Sequence, residues 1–193
     1  MSDAAGFVYK RSTVVLLTMI AALSFALSEL RVEVWHGLLP LFEWMETTPF
    51  GVIGKTWGWA FATVEAFHLL AMALLGGAVL VADGRLLGLV LRETPARQVQ
   101  EQCHTLFVWS LVVAVFTGVF MACGVASKIY YLEVFWYKML ALSVGVIFAF
   151  FVRRPLVAHV YQVPSNTIRL VAIASIMIWF SVAATGRWIG FSG

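Results

Sequence analysis

The sequence predicts an all-α fold: a polytopic membrane helix bundle of five transmembrane helices with a short interfacial helix. Three observations carry this expectation. Of the 193 residues 62% are hydrophobic and 12% charged, the mean hydropathy is +0.92, and the charges gather in short stretches between apolar runs long enough to cross a bilayer. An ordinary soluble domain is excluded. The formal charge of +3 does not point to nucleic acid, because the 13 basic residues are scattered between apolar spans and no nucleic-acid-binding motif occurs.

Lys10 and Arg11 precede an apolar run from Thr13 to Leu27, and Ala26-Leu27-Ser28 has the small-x-small form of a signal-peptidase site. The segment reads as a signal peptide or a first membrane helix; it is counted here as a first span over 12–30. From Arg31 to Thr56 the chain is too polar to span. Leu38, Leu39, Leu41, Phe42, Trp44 and Met45 alternate with Glu43 and Glu46, as expected of an interfacial helix over 38–46 with Pro40 in its first turn and Pro49 at its end. An aromatic entry, Trp57 to Phe61, opens the second span, 57–82. After Asp83 a solvated connection through Arg85, Arg92, Arg97 and Glu101 leads to the third span, 106–124. Ala126 to Glu133 reads as a short turn. The fourth span, 135–152, is stopped by Arg153-Arg154-Pro155, and a polar loop through His159 and Pro164 leads to the fifth, 169–188. The whole chain, 1–193, is one membrane domain. Cys103 and Cys123 fall near opposite ends of one span, ~30 Å apart by helical rise, and cannot pair.

Five spans place the termini on opposite sides, and basic residues near the span ends set the orientation. Lys10, Arg11, Arg85, Arg92, Arg97, Arg153, Arg154 and Arg169 would face the cytoplasm, against Arg31, Lys55, Lys128, Lys138 and Arg187 outside. A bacterial inner-membrane protein with a cytoplasmic N-terminus and a periplasmic C-terminus is expected.

The second span carries charge where charge is costly. Glu65, His68 and Met72 stand at i, i+3 and i+7 and share a helical face that Gly76 continues. By depth counting His68 lies at the centre of its span, with Glu65, Lys138 of the fourth span and Arg187 of the fifth further outward. The four side chains would converge in the outer half of the bundle, as a satisfied network or a cofactor pocket requires. The plainer alternative is that Lys138 and Arg187 snorkel to the headgroups while Glu65 and His68 lock two helices together.

Haem b held by two imidazoles needs both at one depth, and His36, His104 and His159 lie elsewhere along the topology. A haem held through His68 alone, or completed by Met72 or by a partner subunit, stays open, with Lys138 and Arg187 toward its propionates. Copper, which imidazole and thioether ligands suit, is the alternative metal at His68. H-E-x-x-H is missing, and Glu-x-x-His occurs once where a di-iron bundle needs two, so zinc-protease and di-iron chemistry are excluded. No catalytic residue is assigned. A proton relay through Glu65 and His68 is a third class of reading, although no internal repeat of the transporter kind is evident.

From Phe42-Glu43-Trp44-Met45-Glu46 through Thr48-Pro49-Phe50-Gly51, Trp59, Glu65-x-x-His68, Gly76-Gly77, Asp83-Gly84-Arg85-Leu86-Leu87-Gly88, Phe135-x-x-Lys138 and Gly186-Arg187-Trp188-Ile189-Gly190, the chain resembles a family of small bacterial inner-membrane proteins, usually of four spans and of unknown function. The resemblance covers about three-quarters of the chain and implies topology, not activity. Residues 1–36 then look like an added first span that would dock onto a larger complex. The expected function is an accessory or redox subunit binding haem b through His68, in contact with lipid and with membrane or periplasmic subunits. The alternatives are a purely structural assembly subunit and a proton-coupled or copper transporter.

Overall fold

Hydrocarbon offers the backbone no hydrogen bonds, so an apolar chain that crosses it satisfies its own N–H and C=O groups by coiling into helices. The computed structural model describes residues 13, 17 and 19–192, and among these every regular element is helical. After helical residues at 19–26 come α1 (Leu30–Thr47), α2 (Pro49–Thr56), α3 (Gly58–Leu86), α4 (Ala96–Gly124) and α5 (Ala126–Tyr130). The chain continues in α6 (Glu133–Ile147), a π-helical stretch (Phe148–Arg153), α7 (Arg154–Ala158) and α8 (Ser165–Ile189). Four rods among the described residues are long and apolar enough to cross a membrane: α3, α4, the continuous Glu133–Ala158 rod and α8.

These rods run alternately up and down. Helix α3 packs on α4 and on α8, and α8 packs on α6. Their shared core is Leu75, Ala78 and Val79 from α3, Phe107 and Leu111 from α4, Ala149 from the π-helical turn, and Trp179 and Val182 from α8. In α3 the buried positions 71, 75, 78, 79, 82 and 83 recur at helical spacing. Leu69, Leu74, Phe116, Phe151, Met177 and Phe180 point outward, which suits contact with lipid.

Helices α1, α2 and α5 form a cap over the bundle end that holds Gly58, Gly124 and Glu133. Phe42 is buried against Ala126, Ile129 and Tyr130, Trp35 stacks on Trp136 at 5.2 Å, and the Tyr130 hydroxyl donates to Trp35 O at 2.9 Å. Glu46 fastens α1 to both neighbours: Lys55 of α2 pairs with its carboxylate, and the Ser127 N–H donates to Oε1 at 2.8 Å. The backbones of α2 and α4 touch at Gly54 and Gly124. A Cβ on Gly54 would stand 2.9 Å from Gly124 Cα, closer than packed atoms come.

Several boundaries differ from those the sequence suggests. Residues 12, 14–16 and 18 of the expected first span lie outside the described residues, and its end falls in a turn at 27–29. The expected interfacial helix over 38–46 belongs to the longer α1, with Pro40 inside the helix. Pro49 opens α2 rather than closing α1: Thr48 Oγ1 accepts the Gly51 N–H at 3.2 Å, and Pro at N1 gives up no needed donor. The polar run Ala96 to Thr105 extends α4 well before residue 106 because Val99 and Gln100 are buried by neighbouring helices. Ala126–Tyr130 is helical, not only a turn. Arg153-Arg154-Pro155 does not stop the fourth span; the π-helical turn absorbs the change of register, and Pro155 sits in the first turn of α7.

Two outcomes follow from the cap. Gly54→Ala should destabilise the protein by about 1–3 kcal/mol through overpacking against Gly124, whereas Gly37→Ala, whose Cβ meets nothing within 4 Å, should be neutral or slightly stabilising; thermal unfolding in detergent compares them. The Lys55 ammonium and the Ser127 N–H hold the Glu46 carboxyl below its ordinary value of 4.5. Glu46 therefore contributes stability that is present above the unfolded value and is lost as pH falls through the lower folded one. Amide protection factors across α1 and α2, corrected for the intrinsic slowing of exchange in acid, should fall as pH drops below about 4.5, and Glu46→Gln should remove that step.

Candidate functional site

Helix α3 carries two polar centres, one toward the cap and one at the opposite end. The first is built on His68. Helix α3 runs from Gly58 to Leu86, so His68 lies ~6 Å from its midpoint toward the cap. Its Nδ1 is 2.9 Å from Thr117 Oγ1 on α4, and Thr117 Oγ1 is 2.7 Å from Val113 O, one turn back along its own helix. The arrangement that gives each donor an acceptor has the Thr117 hydroxyl donating to Val113 O and Nδ1–H donating to Thr117. Nε2 then carries the free lone pair. Gly118 makes room for the ring, since a Cβ there would come 3.3 Å from His68 Cε1.

The other residues read from the sequence are placed around this ring with different exposures. Glu65, one turn toward the cap, is exposed, and no hydrogen bond or ion pair engages it among the described residues. Lys138 is half-buried and lies over Gly186 of α8, where a Cβ would stand 3.4 Å from its Nζ. The charges of Lys138 and Glu65 both act on the His68 imidazole. Met72 and Gly76 line an apolar groove of about 170 Å³ with Ile176, Trp179 and Ala183 of α8. Arg187 is exposed at the end of α8 and lies over the Phe191 ring at 4.3 Å. Thus His68, Lys138 and Glu65 are brought into one electrostatic neighbourhood, Met72 lines the adjoining groove, and Arg187 packs on its own helix end. Of the other histidines, His36 and His159 are exposed, and His104 packs on Phe107 and Phe150 at the far end of α4. Among the described residues no three His, Cys, Asp or Glu side chains gather as a metal site.

The second centre is the one that sequence reasoning missed. Asp83 stands two residues before Arg85 at the end of α3, but it is fully buried and its partner is Arg153, 70 residues further along the chain. Arg153 Nε donates to Asp83 Oδ1 at 2.8 Å, and Nη2 approaches the same oxygen at 2.7 Å. Nη2 also donates to Gln100 Oε1 at 2.7 Å, and Gln100 Nε2 donates to Ala82 O at 2.6 Å. Three rods are tied together in this way. Ser175 of α8, also fully buried, adjoins Asp83, yet Ser175 Oγ and Asp83 Oδ2 make no hydrogen bond. A cavity of about 20 Å³ lies beside them, lined in part by Ser175, Arg153, Cys103 and His104, with room for about one water. Arg85 instead closes the turn after α3, donating from Nε to Thr94 O at 2.8 Å. One signal in the sequence points to half of this centre, an Asp continuing the buried stripe of α3; nothing local to Arg153 marks it as the partner.

The sequence profile of a family of unknown function, DUF6644, matches residues 41–192. The chain belongs to that family. The matched region runs from within α1 to beyond the end of α8 and contains both polar centres. No curated protein and no solved structure matches the chain.

Breaking a buried ion pair leaves one charge without a partner, whereas removing both charges does not. Asp83→Ala should therefore cost about 3–5 kcal/mol of stability, and Asp83→Leu combined with Arg153→Met should recover most of that loss. Equilibrium unfolding in mixed detergent micelles checks this; strictly additive costs would show that the two charges do not act as a unit.

Proposed function

We propose that the protein is an accessory subunit of a larger membrane assembly and that it holds haem b through His68. The carrying observation is the hydrogen bond between His68 Nδ1 and Thr117 Oγ1: it orients the ring and, with Nδ1–H as the donor, leaves the Nε2 lone pair for a ligand, the arrangement a ligating histidine needs. Lys138 is the cation nearest in effect to the ring and suits a propionate, and Met72 is placed one turn along to border the group. Haem b would supply one-electron transfer there; the chain's own part is to fix the imidazole and to supply positive charge. Copper at His68 with Met72 is the alternative metal.

The reading extends to topology. Met19 packs against the cluster of Phe148, Val152, Leu156 and Ile168, while Arg31 Nη1 donates to Tyr137 Oη at 3.3 Å near the other end of the same rod. A fifth span running beside α6 accounts for both contacts. Together with the distribution of basic residues it supports an inner-membrane protein with the N-terminus in the cytoplasm, the C-terminus in the periplasm and the α1–α2 cap outside.

A purely structural assembly role is the second reading, favoured by the exposed, unpaired Glu65, which a neighbouring subunit would cover. A continuous proton route is weighed down by the core between the two centres. His68 and Asp83 are ~22 Å apart along α3, with Leu75, Val79, Phe107, Leu111 and Trp179 between them.

Protein purified from its membrane in mild detergent should show a Soret band with near-stoichiometric haem, lost in His68→Gln. A Soret band that survives the substitution would move the ligand elsewhere. Its absence from the unsubstituted protein, with the copper content also at background and assembly intact in His68→Gln, would favour the structural role.

A further inference from the structure

The Asp83 end of the bundle has an opening of its own. A pocket of about 240 Å³ is lined by Arg97, Gln100, Glu101 and His104 of α4, Arg153 at the end of the π-helical turn, and Arg154, Val157 and Ala158 of α7. His104 and Arg153 also line the small cavity beside Ser175. The pocket therefore begins where the buried network ends.

Its charge is unbalanced. Glu101 answers Arg97, whose Nε donates to Oε1 at 2.9 Å, and Asp83 answers Arg153. Arg154 is exposed and has no carboxylate partner among the described residues, so it leaves the pocket with net positive charge. Arg153 is held by Asp83 and Gln100, and its guanidinium is oriented without cost to a ligand. Guanidinium groups match phosphate oxygens in pairs. The pocket also lies where the rods reach the edge of the apolar layer, and Val157 and Ala158 give it an apolar flank.

We infer that this pocket binds an anionic phosphate group, in the form of the headgroup of an anionic phospholipid lying against α7. Arg154 and Arg97 are the contacts that reach the phosphate, and Arg153 sets the floor of the site. Glu101 lies on the rim and disfavours a second negative charge, which suits a phosphodiester better than a doubly charged phosphate. This inference is independent of His68 and of any haem there.

Native mass spectrometry of the full chain in mild detergent, titrated with phosphatidylglycerol or phosphatidylcholine, tests it. The unsubstituted protein should retain phosphatidylglycerol in preference. Arg154→Gln should lower that preference about fivefold, the effect of one cation at a membrane surface, and Arg97→Gln with Arg154→Gln should lower it further. Arg154→Lys should keep most of it, and Arg169→Gln, which removes an exposed cation at the same end outside the pocket, should leave it unchanged. Inorganic phosphate should not displace the lipid; displacement at millimolar concentration would assign the site to soluble phosphate and overturn the lipid. Equal retention of the two lipids, or an equal loss in Arg169→Gln, would overturn the site itself. Unchanged thermal unfolding of Arg154→Gln separates lost binding from lost fold.

Discussion

The ion pair between Asp83 and Arg153 is the constraint on which the arrangement of the rods depends. A carboxylate with no exposed surface is tolerable in an apolar bundle only if a cation reaches it, and Arg153 reaches it from a rod distant in sequence. That requirement brings the Glu133–Ala158 rod to the end of α3. It also gives the π-helical turn a purpose: one wider turn before Arg153 rotates the following residues relative to α6, so that Arg153 faces inward while Arg154 faces out. Gln100 accepts from Arg153 and donates to Ala82 O, and in doing so draws the polar beginning of α4 into the bundle. The helix α4 is long for this reason, although its first turns are not apolar.

The two polar centres on α3 differ in how far the chain completes them. Around Asp83 most groups are satisfied internally, and the two orphan atoms, Asp83 Oδ2 and Ser175 Oγ, are enclosed beside a cavity of one-water size. Such a site resembles a structural lock. Around His68 the chain fixes one ring nitrogen and stops there: Nε2, Glu65 and Lys138 have no hydrogen-bond partners among the described residues. The first centre can account for itself as stability. The second holds polar groups that these helices leave unpaired.

Much of the fold was legible because hydrophobic runs of membrane length leave few alternatives. The rods corresponding to spans two to five stand where the apolar runs stand, and Cys103 and Cys123 lie at opposite ends of α4 and are both free. The ends were less legible. Local signals mark where a helix can stop in water, but Pro40, Pro155 and the polar stretch before Leu106 lie inside helices because packing outweighs propensity there. Glu65-x-x-His68 stands out as a candidate because it interrupts an apolar run. Asp83 does not, because an acid followed two residues later by Arg85 looks like an ordinary helix end; only its long-range pairing with Arg153 distinguishes it, and one sequence contains no trace of that pairing.

Glu65 gives the His68 centre its direction. Glu65 lies ~10 Å from the midpoint of α3 toward the cap, where a charge costs less than the roughly +2.5 to +3.5 kcal/mol of the helix centre, and no cation among the described residues pairs with this carboxylate. Met72 and Gly76, one and two turns beyond His68, continue the same edge of α3 into the groove against α8, and that groove is apolar. A helix lock would place the carboxylate against a neighbouring rod, as Asp83 is placed. Glu65 is instead left at the surface beside a half-buried imidazole, so whatever meets its charge must come from outside these four rods: interfacial water, a bound group, or another subunit. The proposed accessory role fits that demand, since the charges of Glu65 and Lys138 act on His68 without pairing to each other.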